Sequence, residues 1–192
     1  MKVRINASGI RPLLMHNVRL ASPLNTYAKR LKAMNAKRVK TDEDRYEIAH
    51  VEWEGSFYFD DEIGPYIPGP SVYRSLIDGA RLTKAGKKIE RGVTMSDLVH
   101  PLIYKGPRDL AGLWGDGESE WVDIRTVRIG ASKVDRCRPI FRNWAFEADC
   151  LIDPKIIDFD EFAEVAGQAG EMAGIGDYRL MYGRYSVEVT RL

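Results

Sequence analysis

The stretch from Gly174 to Gly183, GIGDYRLMYG, constrains the fold more than any other part of the sequence. Its three glycines permit positive φ angles and a close approach of the backbone to another group. It lies between a predicted helix, Asp158 to Met172, and a predicted final strand, Arg184 to Thr190. Because it also carries Arg and Tyr, it suits a loop that grips a phosphodiester backbone while a ring stacks on a base. The same pattern fits a helix C-cap that bends into a strand.

The composition favours one folded domain without a membrane segment. The chain has 192 residues, of which 44% are hydrophobic and 10% aromatic, so we expect a single domain over residues 1–192. No apolar run reaches the roughly 18 residues of a membrane span, and the N-terminal stretch lacks the apolar centre of a signal peptide. We therefore expect a cytoplasmic protein. Cys137 and Cys150 are the only cysteines and no CxxC occurs, so we expect no disulfide framework, no metal site and no cofactor.

The net charge is only +1, but charge is segregated along the sequence. Residues 29–40 hold six Lys or Arg and no acid, and residues 81–91 hold several basic residues against a single acid. Residues 125–142 hold six Lys or Arg against Asp135 alone. Segregation of this kind produces local basic surfaces, which a phosphate chain experiences even on a neutral protein. Any one of these runs also fits a solvated helix face.

Hydrophobic periodicity predicts a core of alternating strands and helices. The predicted core elements are a strand at 3–7, a helix at 70–82, a strand at 98–104, a strand within 121–152, a helix at 158–172 and a strand at 184–190. This order, βαββαβ, is that of the ferredoxin-like fold in the α+β class. The N-terminus of the helix at 70–82, around Ser71, is a natural place for an anion to bind.

Two segments are predicted to lie outside this core. Residues of about 22–55 are expected to form a helical insertion of two helices, the first to about Arg38 and the second capped by Thr41. Residues of about 121–152 alternate and are expected to form a long β-hairpin with its tip at 130–139. The basic residues of this predicted tip are Lys133, Arg136 and Arg138.

Signals for catalysis are weak. His16, His50 and His100 are scattered, and no pairing of a nucleophile with a base has diagnostic spacing. His16 follows the first predicted strand, where an imidazole can act as a general acid or base on an RNA 2′-hydroxyl. A surface or hydrogen-bonded histidine without a catalytic role is the more common case at such a position. Exposed aromatic rings are the better functional signal, because they can stack on bases. The candidates for stacking are Tyr66, Tyr73, Trp114, Tyr178 and Tyr182.

Two motifs together resemble those of a known family. The sequence YIPGPSVYRSL at residues 66–76, followed far downstream by GIGDYRLMYGRY at residues 174–185, resembles the RAMP superfamily of repeat-associated proteins in CRISPR systems. Pro70 and Tyr73 depart from its usual helix start. The resemblance implies an RRM-like core and is nearest to the backbone subunit that polymerises along guide RNA. The hairpin at 121–152 would then be that subunit's thumb.

The resemblance also implies partners and a set of binding residues. The partners are single-stranded RNA or DNA, further copies of the chain or other effector subunits. The expected nucleic-acid-binding residues are Ser71, Arg74, Lys133, Arg136, Arg138, Gly174, Gly176, Tyr178, Arg179, Tyr182, Gly183 and Arg184. No catalytic residue is assigned. The alternatives are a metal-independent endoribonuclease of the same superfamily that uses His16 or His50, and an interaction protein that binds no nucleic acid.

Overall fold

The computed structural model describes residues 1–179 and 181–192, and the side chains of Ile129 and Ser132 are left out of the description. Within these residues the strands, numbered β1 to β10 in chain order, are Lys2–Gly9, Leu13–Leu14, Phe59–Asp60, Gly64–Pro68, Val93–Met95, Val99–Pro101, Val122–Ile129, Ser132–Phe141, Ala145–Ile152 and Tyr185–Arg191. The α-helices, numbered α1 to α6, are Thr26–Asn35, Asp42–Ser56, Gly69–Ala80, Gly86–Gly92, Leu110–Trp114 and Phe159–Gln168. Shorter helical turns span Val18–Ala21, Arg81–Thr83 and Ala169–Ala173.

The largest sheet has four strands in the order β10–β1–β9–β5, and all neighbours are antiparallel. Every second residue of β1 points into the core, because Val3, Ile5 and Ala7 are all buried. This alternation of buried residues explains why β1 lies in the middle of the sheet. Ile5 faces Val189 of β10 on one side and Ala148 of β9 on the other. The sheet therefore joins residues from both ends of the sequence.

Helices α3 and α6 contribute their apolar faces to the same core as this sheet. In α3 the buried residues Val72, Leu76 and Ala80 recur every four positions, which places them on one face. In α6 the corresponding buried residues include Phe162 and Val165. With antiparallel sheets and helices together, the protein belongs to the α+β class, as the sequence predicts.

The long hairpin is shorter than predicted. Strands β7 and β8 pair from Val122 opposite Pro139 to Ile129 opposite Ser132, so the chain reverses at residues 130–131. The prediction of a tip spanning 130–139 and a return strand to Ile152 was wrong. β9 instead pairs with β1 and β5 in the main sheet, since its alternate residues bury in the core. Two consecutive alternating strands look like one from the sequence.

The predicted strand at 98–104 is also divided differently. β6 covers only Val99–Pro101 and pairs with β4, in a small three-stranded sheet. The strand that pairs with the other edge of β9, opposite β1, is β5, which lies before the predicted strand in the chain. Leu98 is 72% exposed, whereas Leu102 of the same apolar run is fully buried in the core. The run therefore reaches the core, but its regular strand is shorter than predicted and pairs with β4.

The segment that was predicted to be a helical insertion contains two helices, as expected. Thr41 caps α2 with a capping box: its side chain accepts from the Asp44 N–H, and the Asp44 carboxylate accepts from the Thr41 N–H at 2.8 Å. The first helix begins later than the predicted start of this segment at about residue 22, since Asn25 is its N-cap. No helix within residues 1–179 and 181–192 combines the length and apolar character needed to cross a membrane.

Two nearby glycines give a matched test of the packing between α6 and the last strand. Gly167 has open space where a Cβ would stand, whereas a Cβ on Gly170 would lie 2.1 Å from the Tyr185 carbonyl oxygen. We expect Gly167→Ala to raise the free energy of unfolding by about 0.5–1 kcal/mol, because alanine favours a helix. We expect Gly170→Ala to lower it by about 1–3 kcal/mol through overpacking. Urea denaturation measures both, and equal effects would contradict this packing.

Candidate functional site

The glycine loop, defined as residues 174–184, is held against the protein by backbone hydrogen bonds. The Ile175 N–H donates to the Gly183 carbonyl at 2.9 Å, which closes the loop on itself. The N–H groups of Asp177 and Gly183 donate to the carbonyls of Leu14 and Pro12, both at 2.8 Å. Leu180 lies outside the described residues. The described parts of the loop are therefore fixed on β2 and the residues before it.

The glycines serve this close approach of backbone to backbone. Gly174, Gly176 and Gly183 all have positive φ, at 70°, 83° and 67°. A Cβ on Gly183 would lie 1.7 Å from the Ile175 carbonyl oxygen, and one on Gly176 would lie 2.5 Å from that of Leu14. No other residue type fits there without a shift of the main chain. The glycines thus shape the loop, and its side chains are left to meet a ligand.

Three of the predicted binding residues line one cleft. Tyr178, Arg179 and Arg184 surround a volume of about 510 Å³ together with residues of α3, of the turn after α3 and of the turn after α6. The remaining lining residues are Asp78, Leu82, Met172 and Ala173. Tyr178 is 52% exposed and has a φ of 49°, which is unusual for a residue with a side chain. Its ring is therefore presented to solvent at the edge of this cleft, which we call the arginine cleft.

Asp78 gathers three arginines at the arginine cleft. Its Oδ2 accepts from Arg74 Nε and from Arg179 Nη1, both at 3.1 Å, and its Oδ1 accepts from Arg81 Nη1 at 3.0 Å. Burial opposes ionisation of Asp78, but the hydrogen bonds from Arg179 and Arg74 outweigh it and lower its pKa. Asp78 and Arg81 were not among the predicted binding residues. The spacing of 74, 78 and 81 on one helical face was the signal that could have found them.

Arg184 has an unsatisfied donor in this region. Its Nη1 is buried and has no hydrogen-bond partner among the residues that the structure describes. Arg184 lines the arginine cleft and also a neighbouring hollow beside Arg11 and Met181. A buried guanidinium N–H without a partner is costly, and a ligand oxygen would satisfy it.

The start of α3 is less open than predicted. The Gly69 N–H donates to the Leu98 carbonyl at 2.7 Å, and Pro70 has no N–H to offer. Ser71 is half-buried in the first turn. Ser71, Arg74 and Asp78 share one helical face, because they are spaced by three and four residues. Ser71 therefore lies on the same face of α3 as Arg74 and Asp78, but it is not among the residues that line the arginine cleft.

The predicted tip arginines lie elsewhere. Arg136 and Arg138 are in the middle of β8, not at the tip, and each is paired with an acid. Arg136 Nη1 lies 2.5 Å from the buried Glu52 of α2, and Arg138 Nε lies 3.1 Å from Asp177 of the glycine loop. Lys133 lies next to the turn and is exposed, as predicted. The error follows from the shorter hairpin.

Tyr182 faces the hairpin and is separate from the arginine cleft. The Arg125 guanidinium lies over its ring at 4.9 Å from the centroid and donates to its hydroxyl, while Asp123 binds the same guanidinium. Tyr182 is half-buried by this contact, and its ring centroid is 5.9 Å from that of Tyr178. The glycine loop thus presents Tyr178 to the cleft and Tyr182 to the hairpin.

His50 and Trp114 pack against each other, and His16 lies beside a buried serine. Trp114 is 5% exposed, so it is not free to stack on a base as predicted. His50 stacks on Trp114 with ring centroids 4.5 Å apart. His16 is half-buried, with its Nδ1 3.4 Å from the hydroxyl oxygen of the fully buried Ser56. Burial lowers the pKa of His16; the nearby guanidinium groups add to this effect, and the nearby carboxylates oppose it. The charged residues near His16 are Asp177, Arg138, Arg136 and Glu52.

Neither cysteine reacts readily, and no metal cluster forms in the described part of the chain. Cys137 and Cys150 are both buried and free, and burial raises the pKa of each to about 12. Across residues 1–179 and 181–192, no three His, Cys, Asp or Glu side chains come together as ligands for a metal ion.

Comparison with known proteins adds no further constraint on the site. No family model matches the chain, and no curated protein matches it at a significant level.

The lowered pKa of His16 makes a prediction about pH. At a pH near its ordinary pKa of 6.5, the unfolded chain binds more protons at this site than the folded chain does. The contribution of His16 to the free energy of unfolding therefore falls as pH decreases from about 7.5 to 5.5. His16→Gln should remove part of that slope, by at most about 1.4 kcal/mol per pH unit. Urea denaturation across this pH range measures it, and parallel curves for the two proteins would refute the assignment.

Proposed function

We propose that this protein binds single-stranded nucleic acid, RNA in the first instance, through the arginine cleft, as an oligomeric backbone subunit of the RAMP type. The observation that carries the proposal is the meeting of Tyr178, Arg179 and Arg184 in one cleft. These residues come from the loop that the resemblance marks as the binding loop. Guanidinium groups bind phosphate oxygens, and an exposed tyrosine stacks on a base without regard to its identity.

The charge of the cleft supports the same proposal. Arg179 and Arg184 line the cleft, and Arg74 and Arg81 pair with Asp78, the acid that lines it. Glu171 shares the neighbouring hollow with Arg184. Four guanidinium groups against these two carboxylates leave an excess of positive charge in a protein that is nearly neutral as a whole. Local potential of this kind attracts a phosphate chain and makes the affinity depend on salt.

The arrangement of the core supports a ferredoxin-like, RRM-like fold. The strands β1, β5, β9 and β10 and the helices α3 and α6 follow each other along the chain as βαββαβ. The antiparallel order β10–β1–β9–β5 places the first and third strands of this series in the middle of the sheet. We propose that the helices α1 and α2 and the hairpin β7–β8 are additions to this core. The hairpin would then be the thumb that reaches a neighbouring copy.

Polarised fluorescence with labelled RNA and DNA strands of about 30 nucleotides tests the proposal at two salt concentrations. We expect affinity to fall steeply with salt and several copies to bind each strand. Arg179→Ala and Arg184→Ala should each weaken binding about tenfold and reduce the salt slope by about one.

Lys155→Ala is the matched control for these variants. It removes one exposed positive charge at the turn before α6, whereas the cleft lies beyond the other end of α6, about 15 Å of helix away. It should leave the affinity nearly unchanged. If both arginine variants behave like the control, the cleft is not the binding site. No binding to either strand would instead favour an interaction protein.

Incubation of RNA with the same protein samples tests the endoribonuclease alternative. RNA incubated with the protein in EDTA should remain intact if the protein only binds. Cleavage that persists in EDTA and disappears in His16→Ala would establish that the protein is a metal-independent endoribonuclease and that His16 is a catalytic residue.

A further inference from the structure

The acid at the centre of the arginine cleft occupies the place of an anionic ligand. Asp78 accepts hydrogen bonds from Arg74, Arg81 and Arg179, which come from α3, the turn after it and the glycine loop. A carboxylate and a phosphate present similar oxygens to a guanidinium, and arginine binds both through its planar fork. The three arginines are therefore arranged around a single anion that belongs to the chain itself.

The exposure of these side chains shows how the group is oriented. The side chain of Asp78 is 18% exposed, whereas those of Arg74, Arg81 and Arg179 are 58%, 53% and 39% exposed. Each guanidinium carries five N–H donors, and Asp78 engages one of them on each arginine. The acid thus lies beneath the arginines, and their remaining donors are accessible from the solvent side.

A second observation points to a ligand at this place. Arg184 shares the cleft, and its buried Nη1 lacks a hydrogen-bond partner among the described residues. Asp78 does not reach it, although both line the same volume. A phosphate that bound Arg184 and Arg179 together would satisfy this donor. It would also lie close to the Asp78 carboxylate and be repelled by it.

We infer that Asp78 is a built-in competitor, which neutralises the arginine cluster in the free protein and restrains the binding of phosphate groups. The inference rests on the proposed function and specifies how the site is regulated. A single phosphate that displaces Asp78 from the arginines gains little binding free energy, because one anion only takes the place of another. A strand that brings several phosphates gains contacts beyond Asp78 as well, so the acid biases the cleft towards polyanions over mononucleotides and free phosphate.

A substitution that removes the charge of Asp78 and keeps its shape tests this inference. Asp78→Asn keeps an acceptor oxygen for the arginines and removes the repulsion. We expect it to bind the labelled strand of about 30 nucleotides some three- to tenfold more tightly than the unmodified protein, with a salt slope steeper by about one. Asp61→Asn makes the same change of net charge at an exposed turn residue and should leave both quantities unchanged. Asp78→Glu, which restores the charge, should not bind more tightly than the unmodified protein.

The outcomes separate the inference from the proposed function. If the unmodified protein binds and Asp78→Asn binds equally or more weakly, Asp78 only positions the arginines: the competitor role is overturned and the proposed function stands. If neither binds, both are overturned. Tighter binding by Asp78→Asn and not by Asp61→Asn supports the inference. Thermal denaturation checks that each variant is folded, and Asp78→Ser replaces Asp78→Asn if that variant does not fold.

Discussion

Two backbone hydrogen bonds, from Asp177 to the carbonyl of Leu14 and from Gly183 to that of Pro12, hold the candidate site together. They fix the glycine loop on β2, which is itself bound to β8 of the hairpin. The loop can lie this close only because its glycines lack a Cβ. With its backbone held in place, the loop presents Arg179 towards Asp78 and Tyr182 towards Arg125. The positions of both groups of charged side chains follow from this one attachment.

The hairpin is anchored to the rest of the protein by a buried acid. Glu52 of α2 is 5% exposed, accepts from the Cys137 N–H at 3.0 Å and pairs with Arg136. A carboxylate at this depth is tolerated because both of its oxygens are satisfied. The same pairing explains why Arg136 is not free for a ligand. Basic residues that seemed equivalent in the sequence therefore have different tasks: some hold the hairpin in place and others line the cleft.

The sequence was most informative where the signal was local. The capping of α2 by Thr41, the glycine loop between a helix and a strand, and the α+β class all follow from short-range patterns. The sequence was misleading where the partners of a strand are distant in the chain. Apolar and polar residues alternate alike in β8 and β9, and it is the burial of Phe146 and its neighbours that marks β9 as a strand of the main sheet. The contact of Asp78 with Arg179 was missed for the same reason, since it joins residues far apart in the chain. The roles of the cleft residues in binding remain predictions.

The pairing of β1 with β10, and the attachment of the glycine loop to β2, bring residues from opposite ends of the sequence into one structure. Contacts of such high sequence separation form late, because a long chain must be ordered before they give any stabilisation. On the ribosome, the arginine cleft cannot exist until the glycine loop has emerged, since Tyr178, Arg179 and Arg184 line it. Until then, a nascent chain carries Arg74 and Arg81 of its earlier segments without the geometry that organises them.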